Sequence, residues 1–451
     1  MGVRVLVPSG ALGLGWEEAA LAEGLAAGPD LIAIDGGSTD SGPHYLGTGT
    51  SKYSRASTKA EWATLIDARA RAGVPLIIGT AGTCGADGAV DWLVDITREI
   101  AAERGERLRL AVLKSGQEPA AIVQALTEGG LEPLPGAPEV TPEAVAECTN
   151  IVALAGAEQV QAALATGADI VIAGRTTDTA IIAALPLARG CHAGAAWHGA
   201  KVGECGALAT TRPNSGSILL DFDEESFTLT ALGPGAGATP RSVAAHMLYE
   251  NADPFILHEP GGHLDVRQAR YEALDAARVR VRGSRWVAAP RYTVKLEGAR
   301  RAGFQVVSLA LVRDPRYVGA IRDWAADITR RVVEKARART GRADFSVELR
   351  LIGLDATLGA LDHAARAGSE VGVLGIVTAP EAALAGEVAK TLNPYLLHHP
   401  LTEDEPMPTF AFPFSPAEIA RGAAYEFCLH HVMELDDPMQ VFRLTTLEVG
   451  P

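Results

Sequence analysis

A chain of 451 residues with 47% hydrophobic and 21% charged residues can bury the core of a large domain and of a second, smaller one. Its formal net charge of −15, without any cluster of Lys and Arg, excludes a surface built to neutralise nucleic-acid phosphates or anionic lipid. Five scattered cysteines fit neither a disulfide framework nor paired zinc motifs, and no apolar run approaches the ~20 residues that span a bilayer. These features describe a cytoplasmic protein, expected to form a homo-oligomer, whose partner is a small anionic molecule, with no nucleic acid and no membrane.

Short apolar runs at 3–7, 31–34, 76–78, 109–113, 151–154 and 170–173 read as buried strands. Helical patterns at 17–27, 58–72, 90–104 and 118–127 separate them, the second capped by Ser57 and stopped by Gly73. This alternation predicts an α/β fold, a mostly parallel sheet with helices on both faces, within a domain spanning residues 1–285. After residue 187 the pattern changes. Residues 190–211 are rich in Gly and Ala, 217–232 alternate like a hairpin, and 241–250 are helical. Arg278, Arg280, Arg282 and Arg285 alternate along a strand and read as a solvated face. The segments 304–312, 318–339, 346–352, 371–377 and 381–393 then read strand, helix, strand, strand, helix. They predict a smaller α+β, ferredoxin-like domain over residues 286–451, ending in an extended, proline-punctuated tail.

Ligands of open α/β sheets bind outside the carboxyl ends of the strands, so the loops there carry the candidate residues. Ser9 lies in a small-residue loop after the first strand, whose glycine order matches neither GxGxxG nor the P-loop. Asp35, Ser38, Thr39 and Asp40 crowd the second loop, where two carboxylates could orient a base or hold a hydroxyl, or else form Asx-type turns. Thr80, Gly82, Thr83 and Cys84 follow the third strand as a possible oxyanion cradle, with Cys84 either a nucleophile or an inert small hydrophobe. Arg175 suits bidentate binding of an anion, and Asp178 either pairs with it or caps the next helix. On a helix, His198, Lys201 and Cys205 would share one face, placing Lys201 where it could activate the thiol, with Glu204 as a general acid or base. The alternative is a Gly-rich helix packed on the sheet with Lys201 and Glu204 as a surface pair. His246, Glu259 and the histidines 258 and 263 invite a metal site, but Pro260 and two glycines break that stretch, so no metal is expected.

Several of these segments together resemble the acyclic terpene utilisation protein A (AtuA-like) family. Residues 168–175 with Asp178 are similar to its ADIVITGR signature, and Glu204-Cys205-Gly206-Ala207 to its ECGAQ segment. His246 to Glu250 with Asp253-Pro254 resembles LVYEIGDP, and Val279 to Gly283 with Tyr292-Thr293-Val294 resembles RVRVSG and YKV. The chain departs from the family at Gly79-Thr80-Ala81-Gly82, where an Asn-Ala-Gly-Gly loop is usual, and at the 35–40 loop, which is Glu-rich in relatives. The resemblance implies a fold and a setting in the catabolism of branched acids through CoA thioesters, and the departures imply a different substrate.

The leading expectation is a catabolic enzyme acting on a small carboxylate or its CoA thioester by lyase- or hydratase-type proton transfer. Arg175 and the 79–85 loop would hold the anion, Glu204 or Asp35 would move the proton, and Cys205 would line the pocket. The rivals are a hydrolase of an amide, lactone or thioester with Cys84 or Cys205 as nucleophile, and a non-catalytic subunit of a CoA-dependent complex.

Overall fold

A computed structural model describes residues 2–363 and 366–451 as two units, residues 2–300 with 427–451 and residues 301–426. The first unit is built on a ten-stranded sheet. At its centre lie Val3–Val7, Leu31–Asp35, Leu76–Gly79, Ile170–Ala173 and Leu108–Lys114, in that spatial order and all parallel. Both of their faces are covered, and a strand buried on both sides reads as a near-continuous apolar run. Alternation then assigns the faces. Val5, Ala33 and Val171 pack against the helices Ala157–Ala165, Ala180–Ala188 and Ala193–Gly203. Leu6, Ile32 and Ile172 pack against Glu18–Ala26, Arg55–Ala72 and Asp87–Arg104, where Trp62 is fully buried.

The sheet is mixed, not mostly parallel as the strand-helix rhythm predicts. The expected hairpin, Ile218–Phe222 with Ser226–Ala231, adds antiparallel to the first strand instead of forming a layer of its own. Arg278–Arg282 and Arg270–Ala273 extend it further on that side, and Arg443–Val449 closes the other side antiparallel to Leu108–Lys114. The short turn makes the two hairpin strands antiparallel to each other, and their addition gives the parallel centre an antiparallel flank. Arg278–Arg282 alternates exposed arginines with buried Val279 and Val281, the solvated face read from its sequence. The run at 151–154 also leaves the parallel set. Its strand, Cys148–Ala153, pairs antiparallel with Leu296–Arg300 at the start of a long strand, Tyr292–Val312.

In the second unit the order is strand, helix, strand, strand, helix, strand. Residues 301–312 of strand Tyr292–Val312 lead to helix Ile321–Thr340, strands Ser346–Ile352 and Val371–Ala379, helix Ala382–His398 and residues 418–426 of strand Glu418–Leu435. Val371–Ala379 lies between Ser346–Ile352 and Tyr292–Val312, antiparallel to both. The two helices bury Trp324, Ile328, Val388 and Leu392 against Val306, Val373 and Val377. Among the described residues no helix is long and apolar enough to cross a membrane.

Candidate functional site

The carboxyl ends of the parallel strands are tied to one another by their own backbones. The Leu12 amide donates to the Asp35 carbonyl, Gly36 to Gly79 and Thr80 to Gly174, all at 2.8 Å. Close approach needs glycine here: a Cβ on Gly85, whose φ is +66°, would collide with the backbone of Arg175. Thr80 and Thr83 take positive φ, 45° and 78°, which a β-branched residue adopts only under constraint. Thr80 is held by its hydroxyl, which donates to the Thr176 carbonyl, and Thr83 by the Lys52 amide donating to its hydroxyl.

Arg175 sits at the centre, 7% exposed, and its guanidinium is engaged. Nε donates to Glu297 at 3.0 Å, and the remaining nitrogens reach the hydroxyls of Thr80 and Thr39 and the Thr176 carbonyl. Thr39 donates to the same Glu297 oxygen, and Lys295 closes on the other at 2.7 Å. Burial alone would raise Glu297, but Arg175 and Lys295 hold it at about 2. Arg175 therefore braces the second, third and fourth loops instead of presenting a free fork. Asp178 lies 3.7 Å from it.

A second cluster surrounds Lys201, which is 3% exposed and donates to Glu204, itself 8% exposed. This is a buried pair, not a surface one. Burial would lower Lys201, but Glu204 beside it keeps the ammonium above its ordinary value. Burial raises Glu204 despite Lys201, with Asp178 and Glu259 adding repulsion. Asp35 is raised well above the usual carboxylate range, first by burial and then by Asp178, and its Oδ1 is buried without a hydrogen-bond partner. Glu259, at the end of strand Ile256–Glu259, accepts from Thr179 and leaves Oε2 buried and unpaired. Burial pushes it up to about 7. His246 follows on a short 3-10 turn, 4% exposed, with Nε2 unpaired and burial lowering the ring to about 4.

Of the residues singled out along the chain, Asp35, Thr39, Thr80, Arg175, Asp178, Lys201, Glu204 and Cys205 meet at this edge. Cys205 and Ser9 line a cavity of about 520 Å³ with Gly10, Asn214 and Tyr249. Burial and then Glu204 raise the Cys205 thiol, so it is poorly suited to a resting thiolate. Ser38 caps its own turn through the Asp40 amide, Asp40 is exposed, and a Cβ on Gly82 would press on Ala89. Cys84 is fully buried among Leu46, Ala86, Ala89 and Val152 and is raised by burial, as an inert core thiol would be. His198 points away, to the Ser284 hydroxyl at 2.7 Å and the ring of Phe227, and Cys205 is not on its face, since the helix ends at Gly203. Glu259 and Glu297 are the residues that pattern reading underweighted. Glu259 reads only as part of the broken 258–263 stretch, and the signal for Glu297 is a carboxylate among apolar neighbours on a strand.

A family model described as acyclic terpene utilisation family protein AtuA matches residues 48–210 and 226–411. The chain belongs to this family. Comparison with curated proteins and with solved structures gives no match. The AtuA match takes in Thr80, Arg175, Asp178, Lys201, Glu204, Cys205, His246, Glu259 and Glu297, whereas Asp35 and Thr39 precede it.

Proposed function

We propose that this protein is a catabolic enzyme that moves a proton on a small carboxylate or its CoA thioester, in a lyase- or hydratase-type reaction. The observation that carries the reading is the Glu259 carboxyl at a strand end, bound by Thr179 with its other oxygen buried and unpaired, and pushed up by burial to about 7. A general acid or base works best with a pKa near the operating pH, and burial supplies that shift here. Lys201, paired with Glu204 and acting on Cys205 at the cavity wall, would stabilise negative charge that develops on the substrate. Asp35, also raised by burial and by Asp178, is the second proton carrier. Arg175 fixes the loops that position them. The family's name supports a catabolic setting, and the departures at 35–40 and 79–82 argue for a substrate of this chain's own. The second unit's element order and central strand position support its reading as a ferredoxin-like layer.

A cysteine hydrolase is the second reading, favoured by the place of Cys205 on the cavity wall. Solvent exchange separates the two. Carboxylates and acyl-CoA thioesters incubated with the protein in D2O should take up deuterium next to the carbonyl. Glu259→Gln should abolish uptake, because an amide carries no proton, while Cys205→Ser retains it. Hydrolysis without exchange, lost in Cys205→Ser and kept in Glu259→Gln, would establish the second reading instead.

A further inference from the structure

Proton transfer at Glu259 leaves one group of side chains at this edge without a task. Glu204, Cys205 and His246 bring a carboxylate oxygen, Sγ and a ring nitrogen within 4.8 Å of one another. They come from the end of helix Ala193–Gly203, the residues just after it and the turn His246–Leu248. No spaced motif could mark such a set, because its members belong to different elements.

The His246 Nε2 atom is the second, independent pointer. It is buried, makes no hydrogen bond, and belongs to a residue 4% exposed. A buried ring nitrogen without a partner is uncommon, because its desolvation goes uncompensated. Tyr249 stacks on the ring at 5.4 Å and fixes its orientation.

We propose that Glu204, Cys205 and His246 bind a divalent transition-metal ion of the zinc class, with a further coordination position open to the cavity at Cys205. Thiolate and imidazole donors select such ions over magnesium or calcium, and three protein ligands with one open position are the arrangement of catalytic sites. On binding, the hydrated ion gives up water ligands and the Cys205 thiol releases its proton to solvent. The sulfur keeps both electrons of the S–H bond, and nothing is oxidised. Lys201 holds Oε1 of Glu204 and sets the plane of the carboxylate, the outer support that metal ligands commonly have. The proposal departs from the expectation that the chain holds no metal, which rested on the broken 258–263 stretch. It does not depend on the proton-transfer reading.

The full-length protein, stripped with a chelator and titrated with Co2+, tests it without turnover. A stoichiometric complex should form, with visible ligand-field bands and a near-ultraviolet thiolate-to-cobalt band, and Zn2+ should displace it. Cys205→Ser should remove the thiolate band. His246→Gln should weaken binding by more than about tenfold, the least that loss of an outer-shell partner already costs. Far-ultraviolet circular dichroism checks that each variant folds. A wild type that takes up no Co2+, or a thiolate band that survives Cys205→Ser, overturns the site even if either variant misfolds. Loss of deuterium exchange in Glu259→Gln with Co2+ binding intact would show the two proposals standing or falling separately.

Discussion

Arg175 and Glu297 are joined across 122 positions of sequence, and neither has water to fall back on. Removing one partner of a buried pair strands the other as a desolvated charge, so Arg175→Ala should lower stability by about 3–5 kcal/mol in urea unfolding. Arg175→Lys should fall between, keeping a charge near Glu297 but losing the fork that reaches Thr80 and Thr39. An unchanged midpoint in Arg175→Ala would mean the pair contributes nothing. Glu259 supplies a prediction in pH. Its folded pKa, about 7, lies above the ordinary about 4.3, so between those values the folded state holds a proton that the unfolded state has released. Stability from this group is therefore lost as pH rises across that window. Glu259→Gln should gain on the wild type by up to roughly 1.4 kcal/mol per pH unit there and no further above it. A stability difference independent of pH would place Glu259 in water. The position of Arg175 was legible, because it follows a strand of the parallel set. Its partner was not, because a carboxylate on a strand gives no local hint of which distant cation it will meet.

Helix Ala193–Gly203 shows how an element can be read correctly and faced wrongly. Its alternative reading, a Gly-rich helix pressed on the sheet, describes it well: Cβ atoms on Gly199 and Gly203 would run into Phe222 and Leu220. Close packing turns His198 toward Ser284 and Tyr271, and leaves Lys201 with Glu204 at the strand edge. The expected face of His198, Lys201 and Cys205 assumed a helix two residues longer than the one that forms. Strand 151–154 failed in the same way, since an apolar run declares burial without declaring its partner. Gly194→Ala separates local preference from packing. Propensity predicts a gain of about 1 kcal/mol for Gly→Ala in a helix. Here the new Cβ would collide with the Ser284 carbonyl, and overpacking typically costs about 1–3 kcal/mol. The variant should therefore melt lower than wild type in calorimetry. A higher melting temperature would show that the helix start can shift freely away from Ser284.

The last 25 residues, 427–451, belong with the first unit, although residues 301–426 intervene. Nothing in their pattern announces that return, since an edge strand that completes a sheet looks like any other alternating run. Physically they are needed. Arg443–Val449 pairs along its whole length with Leu108–Lys114, whose other side meets Ile170–Ala173, the strand that leads to Arg175. Residues His431–Met433 pair with Leu131–Pro133, and Leu429, Leu435 and Phe442 are buried against Leu113, Ile151 and Leu296. Three such side chains, at about 1.5–3 kcal/mol each for full burial, already rival the net stability of a typical domain. Cys428 adds a buried contact, its Sγ 2.7 Å from that of Cys148. A chain ending at Glu426 should therefore lose the first unit's cooperative thermal transition, while residues 301–426 retain their own core of Trp324, Ile328, Val373 and Leu392. Differential scanning calorimetry of the truncated chain should show only the smaller of two transitions, and hydrogen exchange should lose protection in Leu108–Lys114 first. If the truncated chain kept both transitions and the protection of that strand, the C-terminal segment would be an ornament on a sheet already complete, and the frame of the proposed site would not depend on it.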